Sequence, residues 1–91
     1  MGVIHLEIRG RVQGVGFRWF VVERARALGL GGWVSNRPNG NVELAAGGAS
    51  EALETLALAV EKGPPGAFVE GVAKLPPLDE QKLSKPFGIV R

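Results

Sequence analysis

The chain has 91 residues and a formal net charge of +2, with 45% hydrophobic residues, no cysteine and one histidine, His5. This length predicts one domain, residues 1–91, and the hydrophobic fraction excludes a disordered chain. The lack of cysteine excludes disulfides, thiolate metal sites and cysteine nucleophiles. One histidine leaves little for a catalytic triad or a multi-histidine metal centre.

Charge and hydropathy patterns predict location and partners. No apolar run approaches the roughly 18 residues of a membrane helix, and no signal-peptide pattern follows Met1, so we expect a cytoplasmic protein without a membrane partner. Residues 1–37 carry a charge of +4, from six arginines and two glutamates, whereas residues 38–91 carry −2. This distribution suits a small anion near the first third of the chain, although arginines on a solvated surface give the same pattern.

The first two predicted elements are a strand and a helix. Residues 3–9 alternate between apolar and polar side chains, which indicates a half-buried strand. From residue 17 the period becomes helical, and the apolar stripe consists of Phe17, Phe20, Val21, Ala25 and Leu28. Gly29 is expected to end this helix in a left-handed conformation, with Leu30 folding back onto it.

A hairpin, a second helix and two further strands are predicted next. Residues 33–37 and 42–46 form strands joined through Asn39-Gly40, a strong hairpin signal. Ser50 is the expected N-cap of a helix that ends before Gly63. The remaining elements are a strand at residues 68–75, a charged loop at 78–86 and a short terminal strand at 87–91.

The element order predicts the fold class. A β-α-β-β-α-β order with a short C-terminal edge strand is typical of a ferredoxin-like α+β sandwich, in which two helices cover one face of a mostly antiparallel sheet. This fold carries many functions, so the function has to be argued from a site.

The segment from Gly10 to Gly16 is the candidate site. Glycines permit positive φ, inward-pointing N–H groups and a close approach by a ligand, and the following helix N-terminus adds partial positive charge. A tight structural turn explains the glycines equally well. Arg18 favours an anion, because a cation in the first helical turn opposes the helix dipole by about 0.3–1 kcal/mol and an anion there reverses that sign. A Walker A loop and a dinucleotide fingerprint are both excluded, since neither the lysine nor the third glycine is present.

Two strings carry a resemblance to a known family. The strings GRVQGVGFRWF and LGLGGWVSNRPNGNVEL, within residues 4–47, resemble the acylphosphatase family. The resemblance implies a ferredoxin-like fold and hydrolysis of the carboxyl-phosphate bond of acyl phosphates, without metal or cofactor. Inorganic phosphate is then the product and an inhibitor. The tail FGIVR departs from the aromatic ending of many members, which leaves the packing of the last strand open.

The resemblance also implies roles for individual residues. Arg18 matches the family's phosphate-binding arginine, and Asn36 matches the asparagine that orients the attacking water. Backbone donors to the phosphate come from the loop residues Gln13, Gly14, Val15, Gly16 and Phe17. An asparagine amide both donates and accepts hydrogen bonds, as a water-orienting group must. No general base is evident, so a phosphate oxygen of the substrate is the implied proton acceptor.

Two alternatives belong to other functional classes. RNA-recognition motifs display stacking aromatics on central strands, and this chain lacks that pattern, so we expect no nucleic-acid partner. A non-catalytic ferredoxin-like module that binds an anion or a protein stays open, although the presence of both Arg18 and Asn36 favours hydrolysis. We expect a monomer, with Trp19, Phe20 and Trp33 as packing residues and His5 distant from the glycine loop.

Overall fold

A computed structural model describes residues 2–90 as a strand-helix-strand-strand-helix-strand chain with one added strand. The elements are β1 (Gly2–Arg11), α1 (Phe17–Ala27), β2 (Gly31–Asn36), β3 (Val42–Gly48), α2 (Ser50–Lys62), β4 (Phe68–Lys74), a short 3-10 helix (Glu80–Lys82) and β5 (Gly88–Ile89). The predicted last strand reached Arg91, which lies outside the described residues.

Five strands form one mixed sheet in the order β4-β1-β3-β2-β5. β1 pairs antiparallel with β3 and β4, and β2 pairs antiparallel with β3. β5 lies parallel to β2 at the sheet edge, with Val34 opposite Ile89. Both helices pack on the sheet, which confirms the predicted ferredoxin-like α+β fold with its short C-terminal edge strand.

The core lies between the helices and one face of the sheet. Leu6 and Ile8 are buried there, as the alternation of β1 predicts. α1 buries Phe17, Val21, Val22 and Ala25, so Val22 belongs to the stripe and was missed. Phe20 and Leu28 are only half-buried, because the stripe centres between Val21 and Val22 and leaves both residues at its margins.

The helix ends are built from local hydrogen bonds. Gly29 has the predicted left-handed conformation, with φ 71°, and the Leu30 N–H donates to the Ala25 carbonyl at 2.9 Å. This pattern closes α1 and folds Leu30 into the core. The predicted cap of α2 was wrong by one residue. Ala49 is the N-cap, without a side-chain hydrogen bond, and its carbonyl accepts from the Leu53 N–H at 3.0 Å.

Gly10, the first glycine of the predicted loop segment, belongs to the sheet rather than to the loop. β1 runs to Arg11, and its register with β4 shifts between Arg9 and Gly10. Gly10 has φ 133°, and a Cβ there would lie 2.1 Å from the carbonyl oxygen of Phe68. The connection to α1 is therefore shorter than the predicted segment. Across residues 2–90, neither helix is both long and apolar enough to span a membrane.

Candidate active site

A cavity of about 170 Å³ lies where β1 leads into α1. Its lining residues are Val12, Gly14, Gly16, Phe17, Arg18, Trp19 and Asn36. Five of the seven residues predicted for the site are in this lining, whereas Gln13 and Val15 are not. Asn36 arrives from β2, so the sheet brings it next to a loop that is distant in sequence.

The loop exposes bare backbone to the cavity. Gly14 and Gly16 have φ of 75° and 76°, and a Cβ at either position would meet no atom within 4 Å. Glycine is therefore required by the backbone conformation rather than by crowding. The first amide of α1 that finds a carbonyl is that of Phe20, which donates to Gly16 at 3.0 Å. Within residues 2–90 the amides of residues 14–19 have no protein acceptor, so they are available to a ligand.

Arg18 adds a positive charge to the same cavity. It is half-buried, and among residues 2–90 it makes no ion pair or side-chain hydrogen bond. The first turn of α1 contains no acidic residue. The guanidinium and the positive end of the helix dipole therefore lie together without a compensating charge from the described part of the chain, an arrangement that attracts an anion.

Asn36 contributes a buried acceptor. It is the last residue of β2 and shares a sheet face with Val34, which is fully buried. Its Oδ1 atom is the one buried side-chain polar atom, among those described, without a hydrogen-bond partner. Leaving such a group unpaired costs about 1–3 kcal/mol.

Gln13 ties the loop to the β2–β3 hairpin. Its Nε2 donates to the carbonyl oxygens of Arg37, at 2.8 Å, and Asn41, at 2.9 Å. The hairpin follows Asn36 directly, so one side chain holds the loop and the end of β2 together. The sequence offered no signal for this role, because the partners are backbone carbonyls 24 and 28 residues away. Val15 is half-buried and packs on the core.

His5 lies outside the cavity, on the other face of the sheet. Its Nδ1 is 2.8 Å from the Pro76 carbonyl oxygen, and its Nε2 is 2.6 Å from Oε2 of Glu43. Both partners are hydrogen-bond acceptors. Glu43 also accepts from Arg37 at 2.5 Å. These contacts connect β1, β3 and the segment after β4.

Glu7 holds the hairpin from the same face as His5. Its Oε2 accepts from Nδ2 of Asn41 at 2.8 Å and from Nδ2 of Asn39 at 3.3 Å. The hydrogen bond from Asn41, then that from Asn39, and the nearby Arg37 charge lower the pKa of the Glu7 carboxyl below its ordinary value.

The prediction that Trp19 packs in the core was wrong. Trp19 is 64% exposed and lines the cavity, because it lies two positions from both Phe17 and Val21 and so faces away from their buried stripe. Phe20 is half-buried under the Arg24 guanidinium, 4.9 Å from its ring centroid. Trp33 is half-buried and meets the His5 ring edge-on at 6.0 Å.

Other depressions lack the chemistry of this cavity. The largest described, about 450 Å³, lies at the C-terminal end of α1 and is lined by Arg26, Gly29, Leu30, Lys85, Pro86 and Phe87. It contains neither the glycine loop nor Asn36. Within residues 2–90 no three histidine, aspartate or glutamate side chains lie close enough together to hold a metal ion.

Comparisons with known proteins give a consistent result. The family model for acylphosphatase matches residues 4–89. A Cupriavidus metallidurans acylphosphatase is 56% identical over 69% of this chain and 66% of its own length, and one from Koribacter versatilis is 51% identical over 71% and 59%. The matched region thus spans less than two thirds of either relative. The crystal structure of acylphosphatase from Bacillus subtilis superposes with a TM-score of 0.86 at 36% identity, covering 100% of both chains.

Proposed function

This chain belongs to the acylphosphatase family, and we propose that it hydrolyses the carboxyl-phosphate bond of acyl phosphates to a carboxylate and inorganic phosphate. One observation carries the proposal. An anion-attracting loop and Arg18 line the same small cavity as Asn36. The reaction requires hydrogen-bond donors for the phosphoryl group and a polar side chain that orients the attacking water.

The loop and Arg18 bind the phosphoryl group. The free amides that follow Gly14 and Gly16 donate to its oxygens, and the Arg18 guanidinium forks two hydrogen bonds onto the same group. These donors are already oriented before the substrate binds, so they stabilise the charge of the transition state without rearrangement. Carboxylate is a good leaving group, and its departure requires little help from a general acid.

Asn36 positions the nucleophile. Its side-chain amide hydrogen-bonds a water molecule and directs the water oxygen at phosphorus, in line with the departing carboxylate. Arg18 is the one titratable residue in the cavity lining. A phosphate oxygen of the substrate therefore takes the proton of the attacking water.

The competing function is a non-catalytic anion-binding module. The glycine loop and Arg18 suit both functions, so they do not distinguish them. An anion receptor needs only hydrogen-bond donors, whereas the Asn36 amide in the same lining can both donate to and accept from a water molecule. The presence of Asn36 in the cavity therefore favours hydrolysis.

Steady-state hydrolysis of benzoyl phosphate by the purified protein tests the proposal. We expect turnover that survives EDTA, with inorganic phosphate as a competitive inhibitor. In a parallel NMR titration, phosphate is expected to shift the amides of Gly14 and Gly16. Phosphate binding at those amides without turnover would support the non-catalytic module, whereas shifts elsewhere would contradict the site assignment.

We further propose that the protein acts as a cytoplasmic monomer on free small molecules, with no nucleic-acid or membrane partner. The weak net charge of +2 supports the absence of nucleic-acid binding. Sedimentation equilibrium tests the monomer, since a dimer would give twice the chain mass of 9.6 kDa.

A further inference from the structure

We propose that a groove along α1 binds the acyl group of the substrate, and that Arg26 selects acyl groups carrying a distal carboxylate. This inference rests on the proposed acyl phosphate hydrolysis. The groove has a volume of about 340 Å³ and is lined by Arg18, Trp19, Val22, Arg26 and Ile89. Its substrates are monophosphates of dicarboxylic acids, in which one carboxyl carries the phosphate and the other is free.

The groove adjoins the phosphate cavity. Arg18 and Trp19 line both spaces, so a group bonded to a phosphate held by Arg18 lies next to the groove. The phosphate cavity measures about 170 Å³ and has to hold the phosphoryl group and the attacking water. An acyl group larger than acetyl therefore extends past Trp19.

The helix sets the length of the groove. Arg18, Val22 and Arg26 are spaced four residues apart, so they lie in one row along α1, with the buried Val22 between the two arginines. At 1.5 Å per residue, the row spans about 12 Å between its two arginine Cα atoms. Helical side chains lean in general toward the helix N-terminus, which is the end of α1 at the phosphate cavity. In a benzoyl phosphate with a para carboxylate, the phosphate and the carboxylate are separated by a distance comparable to that between the two arginines.

The Arg26 side chain is already fixed in place. Its Nε donates to the carbonyl oxygen of Phe87 at 2.8 Å, which orients the guanidinium and leaves its terminal N–H groups without a protein acceptor among residues 2–90. No acidic side chain from the described residues lines the groove. The two ends of the groove therefore carry positive charges that a doubly anionic substrate complements.

The middle of the groove is apolar. Trp19 is 64% exposed, although an indole ring of that size is usually covered in a folded protein. Val22 and Ile89 lie beside it in the lining. An aromatic or aliphatic acyl body packs on the Trp19 and Ile89 side chains, while its ends meet the two arginines.

Three substrates test the assignment: 4-carboxybenzoyl phosphate, 4-methylbenzoyl phosphate and acetyl phosphate. Arg26→Gln removes the charge and keeps a neutral donor for the Phe87 carbonyl. We expect this variant to lower the ratio of kcat/KM for the carboxyl over the methyl substrate by roughly 3- to 10-fold. The two substrates differ in intrinsic reactivity, but this difference is the same for every variant, so it cancels when the ratio is compared between variants.

Two further variants separate the two parts of the groove. Arg24→Gln is the matched control, because Arg24 is also an exposed arginine on α1, but it stacks on Phe20 and does not line the groove. It is expected to keep the wild-type ratio. Trp19→Ala is expected to lower the ratio for 4-methylbenzoyl over acetyl phosphate by roughly 3- to 10-fold, through the loss of apolar contact.

The outcomes distinguish the groove from the proposed function. If the wild-type protein hydrolyses none of the three substrates, the proposed function fails. If it hydrolyses all three, and Arg26→Gln keeps the wild-type ratio or Arg24→Gln lowers it equally, the assignment of Arg26 is overturned. If Arg26→Gln does not fold, the test is an NMR titration of the phosphate-saturated wild-type protein with terephthalate, a free dicarboxylate. Shifts at the amides of residues 22, 26 and 89 support the groove, and their absence overturns it.

Discussion

Gln13 and Asn41 are joined by a hydrogen bond of 2.9 Å from the side-chain amide of Gln13 to the carbonyl oxygen of Asn41. The same Nε2 reaches the carbonyl oxygen of Arg37 at 2.8 Å. The glycine loop and the hairpin that follows Asn36 are thus held by one side chain. The distance between the backbone proposed to bind phosphate and the Asn36 amide proposed to orient water depends on this connection.

Gln13→Ala is expected to impair turnover through position rather than contact. The two hydrogen bonds contribute about 1–2 kcal/mol to the free energy of unfolding. We expect kcat to fall several-fold while the inhibition constant for phosphate changes less, because the loop keeps its donors but loses its register with Asn36. Gln81→Ala, a change on an exposed 3-10 helix, is the control in urea unfolding and in kinetics. A kcat equal to that of wild type would leave Gln13 with a purely structural role.

Arg18→Ala is expected to weaken phosphate binding and kcat/KM together, each by about 10- to 100-fold, because two charge-assisted hydrogen bonds are lost. Arg18→Lys restores the charge without the planar fork and is expected to recover only part of the loss. Without any anion, Arg18→Ala should raise the free energy of unfolding slightly, by about 0.3–1 kcal/mol, since a cation leaves the first turn of α1. An unchanged phosphate inhibition constant would contradict the assigned contact.

Asn36→Ala is expected to lower kcat by about 100-fold or more while phosphate affinity is retained, because the water contact gains its importance in the transition state. Removing the unpaired acceptor also relieves a buried polar atom, so the variant should be at least as stable as wild type. Asn36→Asp should not restore activity, since its charge repels the phosphate. Ser35→Ala, on the opposite face of β2, is the control. Wild-type turnover in Asn36→Ala would remove Asn36 from the mechanism.

His5→Gln is expected to retain near wild-type kcat and KM, because His5 contacts Pro76 and Glu43 outside the cavity. The free energy of unfolding should drop by about 1–3 kcal/mol, since the half-buried Glu43 carboxylate loses its contact with the His5 ring. Circular dichroism and benzoyl phosphate hydrolysis measured on the same sample separate the two effects. A folded variant with little activity would give His5 a chemical role that its position does not explain.

Glu7→Gln is expected to change the pH dependence of stability. Hydrogen bonds from Asn41 and Asn39 lower the pKa of folded Glu7 below its ordinary value of 4.5. Glu7 therefore contributes stability above that ordinary value and loses it as the pH falls through its folded pKa. Urea unfolding between about pH 3 and 5 should show a shallower loss of stability in Glu7→Gln than in wild type. Glu23→Gln, an exposed change on α1, should show the same dependence of stability on pH as wild type. If Glu7→Gln and Glu23→Gln showed the same dependence, the role of Glu7 would be contradicted.

The order and type of the elements followed from local patterns in the sequence. The alternation in β1, the helical stripe that begins at Phe17 and the Gly29 cap each depend on residues that are neighbours along one element. Local sterics and hydrophobic periodicity act over that range, so these features were predictable. The family resemblance added named roles for Arg18 and Asn36, and these roles stay predictions.

The tertiary structure decided what surrounds those residues. Sheet order and register place the end of β2 beside the glycine loop, leave Oδ1 of Asn36 unpaired and set the partners of Gln13 on a hairpin. The exposure of Trp19, and the groove it shares with Arg26, depend on where α1 rests on the sheet and on the edge strand that carries Ile89. Such contacts join residues that are distant in sequence, and their energies depend on the packing of the whole core, so no local pattern encodes them.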